Sequence, residues 1–263
     1  MWIVKSIHVI WHALILAVFF SRTFVIRLIT KNPIKRRLWE IKNTTLTSKW
    51  FVHSFHLKLQ VRNPERLKEL KDQSLLVVGN HASLLDIFAL GAQDNYVFIT
   101  SKDMSETPVL GEVVRSGGTL YTDRKEKASL PQEIKRFAET VRAGFKVVLF
   151  PEQSGTDGSH VKEFRKSLFQ VAVEGCCTVL PVCIRYLRLD GKPLTDLNRS
   201  TVCWYKGINM LKHYWNLLAR RIEAELSFLD PVEYDPARNR GELSDLVYEK
   251  VSEAFRSYDT QTT

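Results

Sequence analysis

The segment Asn80–Asp86, which reads NHASLLD, carries the side chains needed for proton transfer. Four residues separate His81 from Asp86, and Ser83 lies three residues before Asp86, the spacing of a helix N-cap and its capping-box partner. This spacing places Asp86 in the first turn of a helix, within reach of the imidazole. A carboxylate that accepts a hydrogen bond from Nδ1 leaves Nε2 free, so the segment predicts His81 as a general base that Asp86 orients. Ser83 is interpreted as a helix cap rather than a nucleophile.

Charged residues also follow three other predicted strands. Lys102 comes two residues after one strand, Arg124 two residues after a second, and Pro151-Glu152 directly after a third. Because the carboxyl ends of parallel strands share one edge of a sheet, where ligands bind, we expect these groups to meet His81 in one crevice. Taken singly, each has an ordinary alternative: a hydrogen-bonded loop histidine, a solvated surface cation, or a carboxylate that caps a turn.

Strand-like and helix-like runs alternate through the rest of the chain. Apolar alternation or short apolar runs predict strands at 55–61, 74–79, 96–100, 119–122, 146–150, 178–184 and 201–206. Helices are predicted at 84–91, 108–115, 131–143, 164–174, 210–225 and 243–257. This order predicts an α/β fold with a mostly parallel central sheet flanked by helices.

Composition narrows the class of protein. The chain has 263 residues, of which 44% are hydrophobic and 25% charged, values that exclude a disordered or low-complexity chain. Its four cysteines contain no CxxC pair, which argues against a disulfide scaffold, a zinc ribbon or a dithiol redox site. The sequence therefore predicts no metal site.

Positive charge is concentrated at the amino terminus. Residues 1–62 hold eleven Lys and Arg against Glu40 alone, a net +10, so the remaining chain carries −1 of the total +9. Twelve apolar residues and two histidines fill positions 7–20, and aromatic and basic residues are interleaved through 36–55. Such a segment suits an anionic membrane surface better than nucleic acid. We predict a membrane-associated two-helix motif at 1–54, followed by an α/β domain at 55–263.

Three interpretations of how the amino-terminal segment associates with a membrane stay open. The apolar run is shorter than the roughly 20 residues of a full span, which favours helices lying in the lipid interface. A single transmembrane span and a soluble chain are the alternatives. A cleaved signal peptide is disfavoured because no small-residue cleavage site follows the apolar run. Basic residues just after the apolar run predict the cytoplasmic face of the inner (plasma) membrane.

Four blocks in order resemble the glycerolipid acyltransferases that carry an HX4D motif. His81 and Asp86 match that motif, and SKDMSETPVLG resembles the stretch that supplies a lysine, here Lys102. GGTLYTDR resembles the second block, which ends in Arg124, and LFPEQSGTDG the third, with Pro151 and Glu152 intact. TVLPVCI resembles the fourth. The chain is similar to bacterial 1-acylglycerol-3-phosphate acyltransferases, including the lyso-ornithine-lipid branch.

The resemblance implies an activity. A fatty acyl group would pass from acyl-CoA or acyl-acyl carrier protein, a co-substrate rather than a cofactor, directly to the hydroxyl of a lyso-lipid. The expected acceptor is lysophosphatidic acid and the product phosphatidic acid, with lyso-ornithine lipid or another lyso-phospholipid as the alternative. His81 would take the hydroxyl proton. Residues at the same edge of the sheet would bind the acceptor: Asn80, Lys102, Arg124, Pro151, Glu152, Gln153 and Ser154.

One block departs from the family pattern. Gln153 and Ser154 stand where the family has Gly-Thr, and no arginine follows Glu152 within the block. One phosphate contact is therefore missing, which favours a less charged acceptor.

Other classes of function stay open. A lipid hydrolase would need a nucleophile, and the chain contains no G-x-S-x-G. A non-enzymatic membrane adaptor would leave the polar strand ends unexplained, and a CoA-independent transacylase would need no acyl-CoA. The oxyanion of acyl transfer needs hydrogen-bond donors, which we expect near Leu84 or near Gly117-Gly118.

Overall fold

The computed structural model describes residues 2–107, 109–123, 125–152, 155–205 and 207–257. Its helices are α1 Trp2–Ile29, α2 Pro33–Ser54, α3 Glu65–Glu69, α4 Leu85–Gly91, α5 Lys102–Ser105, α6 Leu110–Ser116, α7 Leu130–Arg142, α8 Gln170–Gly175, α9 Arg199–Val202, α10 Met210–Leu217 and α11 Arg240–Ser257. Its strands are β1 Leu57–Arg62, β2 Leu75–Gly79, β3 Tyr96–Ser101, β4 Leu120–Thr122, β5 Lys146–Leu149, β6 Thr178–Leu189, β7 Lys192–Pro193 and β8 Ile222–Phe228.

The described strands form one sheet in the order β1-β8-β6-β2-β5-β3-β4, with β7 paired to β6. Strands β2, β3, β4 and β5 pair in parallel with their neighbours, as β2 does with β6 and β1 with β8. Only the pairings of β6 with β7 and with β8 are antiparallel among these strands. The predicted α/β fold with a mostly parallel sheet is confirmed.

Helices cover both faces of the sheet. Side chains alternate between the faces along a strand, and in β2 Leu75 and Val77 pack into one core cluster whereas Leu76 and Val78 pack into the other. The first cluster receives apolar residues from α1, α2, α4 and α10, and the second from α7, α8 and α11. Burial on both faces explains why β2 is a continuous apolar run.

The two amino-terminal helices pack against each other and against the domain. Asn32 ends the turn between them by accepting hydrogen bonds from the backbone N–H groups of Ile34 and Lys35. Asn43 of α2 donates to the backbone oxygen of Phe19 in α1 over 3.0 Å. The outer face of α1 exposes large apolar side chains along its length, including Ile10 and Leu14. This helix is long and apolar enough to cross a membrane, and it indicates membrane association.

Strand β8 lies where the sequence predicts the end of a helix. The helix predicted at 210–225 ends at Leu217, and Ala219 adopts a left-handed φ of 58° that breaks it. From Ile222 to Phe228 burial follows the alternation of a strand, and Glu225 pairs with Arg62 of β1 across the sheet. Because a short run such as IEAELSF suits either periodicity, the partner strands decide its conformation.

Two further predictions were wrong in detail. The strand predicted at 201–206 is absent from the described residues of that stretch, where the short helix α9 ends at Val202 and 203–205 have no regular secondary structure. Strand β6 pairs with β2 on one side and with β8 on the other, so it offers no free side for 201–206 to join. The helix predicted at 164–174 is a 3-10 turn at Lys166–Phe169 followed by α8.

Candidate active site

His81 and Asp86 form a hydrogen-bonded pair at the carboxyl end of β2. His81 lies in the loop between β2 and α4, and its Nδ1 donates to Asp86 Oδ2 over 2.9 Å. The side chain of Asp86 is fully buried, whereas that of His81 is 20% exposed. Among the described residues no group bonds Nε2 of His81. The pair therefore has the predicted geometry, with one ring nitrogen bound to the carboxylate and the other available to a ligand.

The Asp86 carboxylate is held by three further donors. The backbone N–H groups of Ala82 and Ser83 donate to the same oxygen as His81, over 2.7 and 2.9 Å. Tyr186, on β6, donates its hydroxyl proton to the other oxygen over 2.5 Å. These bonds compensate for burying a carboxylate and restrict it to one orientation. Tyr186 is a residue that the sequence analysis did not identify, because a strand tyrosine 100 residues away has no local signal.

The capping box predicted around Ser83 forms only in part, because the N-cap position is Leu84 and not Ser83. The backbone N–H of Leu85 donates to Ser83 Oγ over 3.3 Å, and Asp86 in return accepts from the backbone of Ser83. The helix itself begins at Leu85. The same carboxylate oxygen thus bonds the backbone just before the helix and the imidazole of His81.

Behind the loop lies a second histidine. His213, on α10, is buried, and its Nε2 accepts from the backbone N–H of Leu84 over 3.4 Å. Burial lowers the pKa of His213 to about 4, so the ring is neutral at physiological pH. Ser83 Oγ is also 3.4 Å from this nitrogen but only 1% of Ser83 is exposed. A serine enclosed in this way cannot reach a substrate, which agrees with its interpretation as a cap.

Asn80 and Glu152 fix the backbone on each side of His81. The Asn80 side chain exchanges two 2.8 Å hydrogen bonds with the backbone of Ile184 in β6. Glu152 follows β5, and its two oxygens accept from the backbone N–H groups of His81 and Lys162, both over 2.8 Å. Burial raises the pKa of Glu152 to about 7, although these two bonds oppose the shift. The Asn80 side chain therefore ties the residue before His81 to β6, whereas Glu152 bonds the backbone of His81 itself.

Phe150 and the segment after it line the imidazole. The Phe150 ring stacks on His81 with centroids 4.6 Å apart, and the next residue, Pro151, is buried. The backbone N–H of Thr156 donates to the carbonyl of His81 over 3.1 Å. A Cβ on Gly155 would lie 2.0 Å from the backbone oxygen of Trp204. The Gly-Thr pair missing at 153–154 is therefore present two residues later, where the close approach requires glycine.

The four strand ends meet at one edge, as predicted. Strands β2, β5, β3 and β4 are neighbours in that order, and they present His81, Glu152, Lys102 and Asp123 at their carboxyl ends. Lys102 is mainly exposed and lies 3.2 Å from Asp123, two strands away from β2. The hydrogen bond to Asp123 and its negative charge raise the pKa of Lys102. Arg124, Gln153 and Ser154 lie outside the described residues, so their predicted roles stay predictions.

The two sites expected for oxyanion donors are not favoured by the structure. Gly117-Gly118 precedes β4 and therefore lies at the opposite edge of the sheet from His81. The backbone N–H of Leu84 is directed at His213.

Comparison with known proteins identifies the family. The sequence profile of the acyltransferase family matches residues 58–185, which include His81, Asp86, Glu152 and Ile184. The chain belongs to the acyltransferase family. Similar proteins include the lyso-ornithine lipid O-acyltransferase of Rhizobium meliloti, 28% identical over 67% of this chain and 63% of that protein. The 1-acyl-sn-glycerol-3-phosphate acyltransferase of Neisseria gonorrhoeae is 27% identical over 67% of this chain and 68% of its own length.

The fold of this family member also has a solved counterpart. The 1-acyl-sn-glycerophosphate (LPA) acyltransferase of Thermotoga maritima superimposes with a TM-score of 0.69 at 18% identity, covering 97% of this chain and 96% of that one. That likeness extends through the two amino-terminal helices as well as the sheet. The aligned region spans roughly two thirds of the length of the relatives from Rhizobium and Neisseria.

Proposed function

We propose that this chain is a membrane-bound acyltransferase that moves a fatty acyl group from an acyl thioester to the free hydroxyl of a lyso-lipid. The hydroxyl proton passes to Nε2 of His81 as the oxygen attacks the thioester carbonyl. The tetrahedral intermediate then collapses, the carbon–sulfur bond breaks, and the thiolate takes the proton from His81. Asp86 holds the ring and stabilises its charged form during the step.

The observation that carries this proposal is the hydrogen-bond network around the imidazole. The Asp86 carboxylate accepts four hydrogen bonds while fully buried, and His81 is the one member of the pair that reaches the surface. A histidine of purely structural purpose would not need a second nitrogen directed away from protein partners. The edge at which it lies is also where an open parallel sheet binds its ligands.

Residues 1–54 anchor the enzyme in this proposal, and residues 55–263 carry the catalytic domain. The exposed apolar face of α1 inserts into the lipid interface, so that substrates dissolved in the bilayer reach the edge of the sheet. The basic residues that follow the apolar run support the cytoplasmic face of the inner membrane, where acyl-CoA and acyl-acyl carrier protein are available.

Lysophosphatidic acid is our first choice of acceptor. Lys102, together with Arg124, supplies cations for a phosphate monoester at the edge that holds His81. Lyso-ornithine lipid is the second candidate. The absence of an arginine after Glu152 and the name of the relative from Rhizobium support it.

A panel of lyso-lipids with one acyl donor tests the assignment. Purified full-length protein is incubated with radiolabelled acyl-CoA or acyl-acyl carrier protein, and each product is separated and quantified. We expect acylation of lysophosphatidic acid that depends on the thioester and is lost in His81→Ala. Preference for lyso-ornithine lipid, with a ranking that Lys102→Ala leaves unchanged, would reject the phosphate assignment and keep acyl transfer. Release of free fatty acid without acceptor would indicate a hydrolase, and turnover without thioester a transacylase.

A further inference from the structure

A second concave site lies at the edge of the sheet opposite His81. A cavity of about 610 Å³ opens beside Thr119 and Phe145, the residues just before β4 and β5. Because β2, β5, β3 and β4 run parallel, the amino ends of β4 and β5 face away from the edge that holds His81. A volume of several hundred cubic ångströms is typical of small-molecule sites. The cavity is therefore separate from the candidate active site.

Arginine dominates the lining of this cavity. Five arginines come from the end of α1, the start of α2, the end of α6 and the middle of α7, against two glutamates: Arg27, Arg36, Arg37, Arg115 and Arg136, with Glu40 and Glu139. This composition gives the lining a net charge of +3. We refer to it as the arginine pocket.

Only part of that positive charge is neutralised by the protein. Arg27 pairs with Glu40 over 3.0 Å, and Arg115 pairs with Glu112 over 2.9 Å. In the described part of the chain, Arg36, Arg37 and Arg136 have no carboxylate within 4.0 Å. Clustered guanidinium groups without counter-ions repel one another, so the pocket favours an anionic ligand with several acceptor oxygens.

The surroundings of Arg37 destabilise the charged form of its side chain. Its side chain is half-buried, 5.8 Å from the Phe145 ring, and packs against the turn at Gly118. Burial, and to a lesser degree the charge of Arg136, lowers the pKa of Arg37 although Glu40 opposes the shift. The negative charge of a bound phosphate would offset both the burial of Arg37 and its repulsion by Arg136.

The surroundings of the pocket indicate where the anion comes from. Its mouth lies at the turn between α1 and α2, next to large apolar side chains that the structure leaves exposed: Phe24, Val25, Leu28, Ile29, Ile34 and Leu38. An anion arriving from bulk solvent would leave these side chains in water. A phospholipid would cover them with acyl chains while its phosphate enters the pocket, as in basic pockets beside membrane helices.

We propose that the arginine pocket binds the phosphate of one anionic membrane phospholipid. This lipid is not a substrate, because it binds at the edge of the sheet opposite His81. It fixes the orientation of the domain on the bilayer through the α1–α2 turn.

The test measures lipid retention by the full-length protein in a neutral detergent, using native mass spectrometry with phosphatidylglycerol and with phosphatidylcholine. The variant Arg36→Gln/Arg136→Gln removes two unneutralised cations from exposed positions of α2 and α7. Its matched control, Lys35→Gln/Lys135→Gln, removes the same charge from the preceding, exposed residues of the same helices, which do not line the pocket. Unchanged melting temperatures establish that both variants fold.

We expect one phosphatidylglycerol per chain, no comparable retention of phosphatidylcholine, and weaker retention in Arg36→Gln/Arg136→Gln by at least about tenfold, or ~1.4 kcal/mol. The lysine control should stay within about twofold of the wild type. Equal losses in the two variants would mean diffuse surface attraction and overturn the proposal. So would inorganic phosphate, in the absence of anionic lipid, binding the arginine pocket as tightly as phosphatidylglycerol. An increased KM for acyl-CoA with unchanged lipid retention would instead assign the pocket to the acyl donor.

Discussion

Replacing Tyr186 with phenylalanine tests how Asp86 of the proposed catalytic pair is held. The hydroxyl of Tyr186 donates to Asp86 Oδ1 over 2.5 Å, and the tyrosine is 7% exposed. Burial, together with the charge of Asp86 and the bond to it, raises the pKa of Tyr186 well above its ordinary value. The hydroxyl is therefore a permanent donor at working pH. The substitution keeps the ring and removes that one donor.

The expected size of the effect comes from the other bonds of the carboxylate. A hydrogen bond to a charged group contributes about 1.5–3 kcal/mol, which corresponds to roughly 10- to 150-fold if all of it is lost from the transition state. Asp86 Oδ2 keeps its bonds from His81, Ala82 and Ser83, so Asp86 stays in place in part. We expect kcat/KM to fall by about 10- to 30-fold, towards the lower end of that range.

The pH profile distinguishes positioning of the pair from a general loss of packing. With one donor fewer, the Asp86 carboxylate is held less firmly, which alters its interaction with the His81 ring. The acidic limb of kcat/KM should then differ from that of the wild type. Tyr96→Phe is the matched control, because Tyr96 is equally buried and its hydroxyl has no partner among the described residues.

The assay measures acylation of lyso-lipid by purified protein between pH 5 and 9 at saturating acyl donor. Tyr96→Phe should match the wild type in rate and profile. If Tyr186→Phe stays within about twofold of the wild type and keeps its pH profile, the argument that Tyr186 positions the Asp86–His81 pair is refuted.

Three other predictions can be checked directly. His81→Ala should lower kcat by ~10²–10⁴-fold with little change in melting temperature, and a residual rate above a tenth of wild type would contradict the base assignment. Because burial raises the pKa of Glu152 to about 7 from an unfolded value of 4.5, its contribution to stability is fully present below pH 4.5 and is lost as pH rises to 7. Urea unfolding should show this as a decline of up to ~3 kcal/mol that Glu152→Gln lacks, and parallel curves would reject it. Leu14→Asp on the exposed face of α1 should release protein from sedimented vesicles because a carboxylate is costly in lipid, whereas Leu197→Asp, at a position 96% exposed, should not.

Interactions between residues close together in the sequence could be predicted from the sequence alone. The spacing of His81, Ser83 and Asp86 predicted a capped helix start with an imidazole beside the capping carboxylate, because all three interactions lie within one turn of chain. The buried strands β2 and β5 were predicted from their apolar runs, since a strand covered on both faces excludes polar residues. The order of strand ends then predicted that His81 and Glu152 share one edge.

Long-range partners were decided by the tertiary structure alone. Tyr186 and His213 contact the segment Asn80–Asp86 from 100 and 129 residues away along the chain, and no local pattern marks a tyrosine or histidine for that purpose. Strand β8 formed where a helix was predicted, because pairing with β1 and β6 outweighs the local preference of a short amphipathic run.

In the arginine pocket, too, the sequence determines the composition and the tertiary structure determines the arrangement. The sequence by itself determined that its amino-terminal segment is basic and apolar, since composition needs no fold. That Arg36 and Arg37 face Arg136 across one cavity depends on α2 packing beside α7. Charges separated by about a hundred residues line one cavity only when packing brings their helices together, and that proximity is a property of the fold.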